Sequence, residues 1–260
     1  MSSSPGIRKQ KVLEPDAGLE RLIQDRSAET LIAVASDRRL TEDLALALLN
    51  RRDIPAKVLE ELHKNSALAK QKKVKLAIVM HPRTPRHVSI PVIRYLYAFE
   101  LMHVALFPAV PADVKRMAEE AIISKLPTIS SGERYALAKQ SSGRVAAAML
   151  LDKEERIMQA ALANPQMTEA LLAKALRTAE GTELLVATVC CHEKWSRRIE
   201  VRTALLTNKH TPLPQLVQFA REVPLNILRD ILLSTRLDPD SKSYLKSVVE
   251  KRASVLKSRA

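Results

Sequence analysis

The chain has 260 residues, a formal net charge of +13 and 46% hydrophobic residues. That hydrophobic content excludes a disordered chain, and the length suffices to bury a sizeable core in one large domain or two small ones. Five glycines and 3% aromatics, among many Ala and Leu, favour helices over strands, whose interiors prefer β-branched and aromatic residues.

Residues 1–14 are expected to form a flexible tail, read from SSSPG (2–6), and a signal peptide is not expected because no apolar run follows. Residues 15–245 are expected to form a helical-repeat domain. Helices are predicted over Pro15 to Arg26, Ala28 to Ala35, Thr41 to Asn50 and Pro55 to Lys64, with Leu44, Leu48 and Leu49 at helical spacing in the third. The next stretch, VKLAIVMHPRTPRHVSIPVIRYL (74–96), reads as the end of one helix, a short turn and the start of another. Thr84 is the expected cap and Pro85 the expected first helical residue, where a missing N–H has no partner to lose. After Phe107, PAVPADVKRM opens a further helix. Ser130 and Glu133 fit a capping box, and Asp152 to Glu155 resembles one.

The helix–turn–helix grammar is cleanest in ERIMQAALANPQMTEALLAKAL (155–176). It returns in IEVRTALLTNKHTPLPQLVQFA (199–220) and, more weakly, in LNILRDILLSTRLDPDSKSYL (225–245), where Asp238 and Pro239 are the expected cap and first position. Residues 246–260 read as a basic C-terminal helix or tail. Repeats of 30 to 45 residues are the mark of helical arrays, in which each helix pair buries its apolar faces against its neighbours. The related turns at Asn50, His81, Asn164 and Asn208 support that arrangement.

The segments KLAIVMHPRTPRHV (75–88), QAALANPQMTEALL (159–172) and RTALLTNKHTPLPQLV (202–217) resemble the leucine-rich repeat variant, a class related to HEAT and armadillo repeats. The resemblance implies an all-α fold, an irregular right-handed α-solenoid of stacked helix pairs. The founding member of that group carries an amino-terminal cysteine cluster holding an iron–sulfur centre. This chain has no cysteine before Cys190, so that feature does not carry over, and no cofactor is expected.

No phosphate-cradling glycine loop and no HExxH occurs. Cys190, Cys191, His192 and Glu193 are adjacent, whereas a tetrahedral metal site needs ligands converging from separate turns, so neither a metal site nor a catalytic residue is assigned. His81 and His210 lie near equivalent turns and are expected to have a structural role. Trp195 reads either as an exposed anchor beside Arg197 and Arg198 or as a core residue.

Charge is the remaining signal. Residues 1–110 hold 18 Lys/Arg against 12 Asp/Glu, residues 111–191 hold 10 of each, and residues 192–260 hold 14 against 7. From Leu62 to Phe99 there is no carboxylate. Stacked turns are expected to align Arg51, Arg52, Arg83, Arg86, Lys209 and His210 as a ridge, with Lys70, Lys72, Lys73 and Lys75 at a helix start as further candidates for contact with a partner or with phosphates. The expected function is a non-catalytic binding or scaffold protein with a protein partner. The alternative is binding to the nucleic-acid backbone, with a HEAT-like alkylpurine DNA glycosylase as a minor variant. No segment is long and apolar enough for membrane insertion, because the run Tyr95 to Ala112 is interrupted by Glu100, His103, Pro108 and Pro111. The expected location is cytoplasmic.

Overall fold

The computed structural model describes residues 16–178, 183–233 and 239–257. The expected tail over residues 1–14 and the expected cap Asp238 lie outside the described residues. Those residues form seventeen α-helices and no strand, so the protein is all-α. None of the helices is long and apolar enough to cross a membrane. The chain packs as two compact units, the first ending at Ala121 and the second beginning at Ile122.

The first unit holds α1 (Asp16–Leu22), α2 (Ala28–Ser36), α3 (Glu42–Leu49), α4 (Ala56–Lys64), α5 (Lys72–Met80), α6 (Arg86–Ile93) and α7 (Ala98–Leu106). The division between the units falls within α8 (Ala112–Lys125). The second unit holds α9 (Ser131–Gln140), α10 (Gly143–Ala148), α11 (Glu155–Leu162), α12 (Glu169–Arg177), α13 (Glu183–Cys191), α14 (Ile199–Leu206), α15 (Leu213–Glu222), α16 (Leu225–Leu233) and α17 (Pro239–Lys257). The expected boundary at residue 246 falls inside α17, an unbroken helix.

Apart from α8 and α17, no helix exceeds ten residues. Helices this short are marginal in isolation, so their stability comes from packing. In the first unit α2 packs on α4, α3 on α5 and α5 on α7. In the second, α9 packs on α11, α10 on α12, α12 on α14, α14 on α16 and α15 on α17. In these pairs a helix meets the second one along the chain. Leu31, Leu48, Leu59, Leu62 and Ile78 fill the core of the first unit. Leu137, Met158, Leu172, Leu205 and Leu228 are fully buried in the second.

The turns differ from expectation in one instructive way. Pro55, Pro85 and Pro212 occupy the N-cap with extended backbone and not the first helical position. Thr84 and Thr211 therefore do not cap the helix that follows. Their hydroxyls reach back and donate to Ile78 O (2.5 Å) and Leu205 O (2.6 Å), closing the end of the preceding helix. The Ser130/Glu133 capping box forms with both of its bonds. The second expected box does not form, because Glu154 is the cap of α11 and Asp152 accepts the Glu154 N–H instead.

A recurring bond ties several of the turns to an earlier helix end. Helix C-termini leave carbonyls without intrahelical partners, and here a side chain from a turn or helix farther along supplies the donor. Arg51 donates to Ile23 O (2.5 Å) and Asp25 O (2.7 Å). Asn65 donates to Ala35 O (2.8 Å) and Asp37 O (2.9 Å). His81 bonds Arg51 O (2.9 Å), and Arg83 donates to Asp53 O (2.9 Å). In the second unit Asn164 donates to Ala138 O and Ser141 O, Trp195 to Leu162 O, Asn208 to Leu176 O, and Arg252 to Ala220 O and Val223 O. The Asn and His members also accept a backbone N–H two residues ahead: Ala67 for Asn65, Arg83 for His81, Gln166 for Asn164 and His210 for Asn208. A Cβ on Gly143 would stand 2.1 Å from the Gln166 carbonyl oxygen, so only glycine fits against that turn.

Candidate interaction surface

The bonds between turns and helix ends decide which cations are available to a partner. Arg51 is half-buried, with its guanidinium on two carbonyls and on the Asp53 carboxylate at 2.8 Å. The Arg51 guanidinium, with help from Arg83, holds the Asp53 carboxyl down to about 2. Arg86 pairs with Asp113 at 2.7 Å. Of the expected ridge in the first unit, only Arg52 stands exposed without such a role, beside a groove of about 270 Å³ that it lines with His81 and Phe107. Lys209 and His210 belong to the second unit. Lys209 is exposed, and the His210 N–H is held by Asn208.

Trp195 corrects the reading as an exposed anchor. It is 2% exposed, its indole N–H donates to Leu162 O at 3.0 Å, and it serves the second unit as His81 serves the first. Lys194 lies over its ring at 4.1 Å. Arg197 approaches Glu193 at 4.0 Å and Arg198 pairs with Glu169 at 3.2 Å. Cys190 is buried, and burial pushes its thiol up to about 11, whereas Cys191 is exposed on the same helix. The His192 ring nitrogen accepts the Lys194 N–H. These four consecutive residues do not converge on one point.

The lysines near α5 are arranged differently. Lys70 is exposed in the turn before the helix, and Lys72 and Lys73 are exposed in its first turn. The α6–α7 turn lies against this helix end. Within that turn Leu96 is 2% exposed and inserts into the core, so its neighbours Tyr95 and Tyr97 are turned outward, at 75% and 60% exposure. Lys72 Nζ donates to the Tyr97 hydroxyl at 2.6 Å and lies 4.0 Å from that ring's centroid. Lys75 Nζ lies 5.5 Å from the Tyr95 ring. The two lysines are three residues apart on α5, and each meets one tyrosine of the turn. Among the described residues no carboxylate forms an ion pair with Lys70, Lys72, Lys73, Lys75 or the exposed Arg94. Glu100, in the first turn of α7, is turned back onto the N–H of the N-cap residue Tyr97 at 2.7 Å.

Beside Tyr95 opens a groove of about 370 Å³, floored by Leu68, Val74 and Pro91 and walled by His63, Lys75 and Tyr95. Burial lowers the pKa of His63, with Lys75, His87 and Lys64 acting in the same direction, so its imidazole is neutral at pH 7.

Sequence reasoning located the lysines but missed Arg94, Tyr95, Tyr97 and His63. The available signal was the alternation Tyr95–Leu96–Tyr97 inside the carboxylate-free window. It also missed Asn65, whose Asn-x-x-Leu spacing matches the Asn164-x-x-Met turn. No family model, curated protein or solved structure matches the chain.

Proposed function

We propose that this chain is a non-catalytic binding protein, an irregular right-handed α-solenoid of the HEAT-like, leucine-rich-repeat-variant kind, whose first unit presents the Lys70–Lys75 and Arg94–Tyr97 surface to a polyanionic macromolecule. The packing of eight helices on the second one along, and the repeated bond from turn to earlier helix end, support the solenoid. One observation carries the binding role: a cluster of exposed cations without ion-paired carboxylates, beside two outward-facing tyrosines. Cations that stabilise a fold are paired with carboxylates or carbonyls, as Arg51 and Arg83 are. These lysines are not, so their charge is available to a partner. A reducing compartment, the cytoplasm, suits the two free thiols.

The test is salt elution of the full chain from immobilised heparin. The wild type is expected to be retained and to elute as salt rises, because each phosphate- or sulfate-like contact releases counterions. Lys72→Glu/Lys73→Glu should elute at lower salt with unchanged helicity. Elution of both proteins at the same salt would locate the binding surface elsewhere.

A further inference from the structure

We infer that this surface binds single-stranded nucleic acid, with the phosphates at Lys70, Lys72, Lys73 and Arg94 and the bases stacked on Tyr95 and Tyr97; the inference rests on the polyanion-binding reading above. Three observations separate this partner from an acidic peptide or a duplex.

The first is the exposure of the rings. Tyrosine side chains at 75% and 60% exposure present flat π faces to solvent. Every nucleobase has a face that stacks on such a ring, whereas a carboxylate side chain has none. The burial of Leu96 between them holds both rings outward, so the platform is built before any ligand arrives.

The second is the spacing. The two ring–ammonium pairs, Lys72 with Tyr97 and Lys75 with Tyr95, are set by residues three apart on α5. The two lysines are thus about 4.5 Å apart in rise along the helix, and each ring has a cation of its own.

The third is the groove beside Tyr95. Its floor is apolar and its histidine is neutral. An uncharged planar base suits such an apolar floor. The bases of a duplex are already stacked and paired, so neither the rings nor the groove can reach them.

The experiment is fluorescence anisotropy on the full chain with labelled oligomers of about 20 nucleotides at about 50 mM salt: a single strand, an abasic strand with the same number of phosphates, and a duplex. The expected result is that the single strand binds at least about tenfold more tightly than the abasic strand. Tyr95→Ala/Tyr97→Ala should erase that difference while leaving abasic affinity in place, and Lys72→Glu/Lys73→Glu should weaken both. Both tyrosines are exposed, so loss of folding does not confound the comparison, and circular dichroism checks it. Equal affinity for the base-bearing and abasic strands overturns this inference while the polyanion reading stands. Tighter binding of the duplex, or of polyglutamate, also overturns it. Binding to none of these, together with no retention on heparin, removes both readings.

Discussion

In the second unit Arg134 bridges Asp152 at 2.8 Å and Glu154 at 3.0 Å, Arg156 holds Glu154 at 2.9 Å, and Arg202 holds Glu222 at 2.7 Å. In the first unit Lys72 and Lys75 meet tyrosine rings, and Lys70, Lys73 and Arg94 have no carboxylate partner among the described residues. Net charge alone does not separate these regions, because residues 192–260 carry as large an excess of cations as residues 1–110. What separates these two sets of cations is where each one ends. A guanidinium placed on a carboxylate or a helix-end carbonyl is part of the fold. An ammonium standing over an exposed ring is available to bind.

The comparison makes opposite demands on mutants of the two kinds. The largest effect is expected at Trp195. Trp195→Ala removes a buried ring and the donor to Leu162 O, and should cost about 3–5 kcal/mol in denaturant unfolding. Trp195→Phe should recover most of the packing but leave the carbonyl without its donor. Next is Asn164→Ala. Asn164 is 1% exposed and serves two carbonyls and one N–H, so its loss should cost about 1–3 kcal/mol by the same measurement.

His81 sharpens the comparison through pH. In the folded chain one ring nitrogen accepts the Arg83 N–H, which leaves the other to donate to Arg51 O, so the neutral imidazole is the form that fits. Burial, the main cause, lowers its pKa from the ordinary 6.5. The unfolded chain then binds the proton more readily. The stability His81 contributes is complete above pH 6.5 and is lost as pH falls through that value toward the lower folded pKa. His63 acts in the same direction. His81→Asn places at this turn the residue found at Asn65, Asn164 and Asn208, and should reduce the loss of Tm between about pH 7.5 and about pH 5.5. An unchanged loss would assign the acid sensitivity to other groups. The smallest change in stability, within about 0.5 kcal/mol, is expected for Lys72→Glu/Lys73→Glu, although its effect on heparin elution should be the largest of the set. A marked fall in its stability would make these lysines part of the fold, and the contrast between the two regions would fail.

Much of the helical organisation was legible in the sequence. Prolines, Asn and His interrupt the apolar periodicity where the chain turns, and the helices at 155–162 and 169–177 lie where their leucines and alanines repeat. The direction in which turn residues act was not legible. Thr84 next to Pro85 is a local signal for capping the helix ahead, yet its hydroxyl serves the helix behind. The partners of Asn65 and Trp195 lie about 30 residues away, and a bond of that reach depends on which helix packs two along, which no local spacing encodes. The lysines of the surface stood out because carboxylates are missing around them. Tyr95 and Tyr97 did not, because a Tyr-Leu-Tyr alternation reads equally well with the rings inside, and only the burial of Leu96 decides it.

The bonds between turns and helix ends all point one way along the chain. In each, the donor lies 23 to 33 residues after the carbonyl it serves, from Arg51 acting on Ile23 to Arg252 acting on Val223. During synthesis, which delivers the amino terminus first, a helix end served this way waits for a further stretch of chain to leave the ribosome before its carbonyls are satisfied. The growing protein therefore closes behind itself, with its most recently made helix ends open. A stalled chain cut just before Asn164 or Asn208 would leave the carbonyls of an otherwise finished helix without their donors, and such truncations should be more sensitive to protease than ones cut just after these residues.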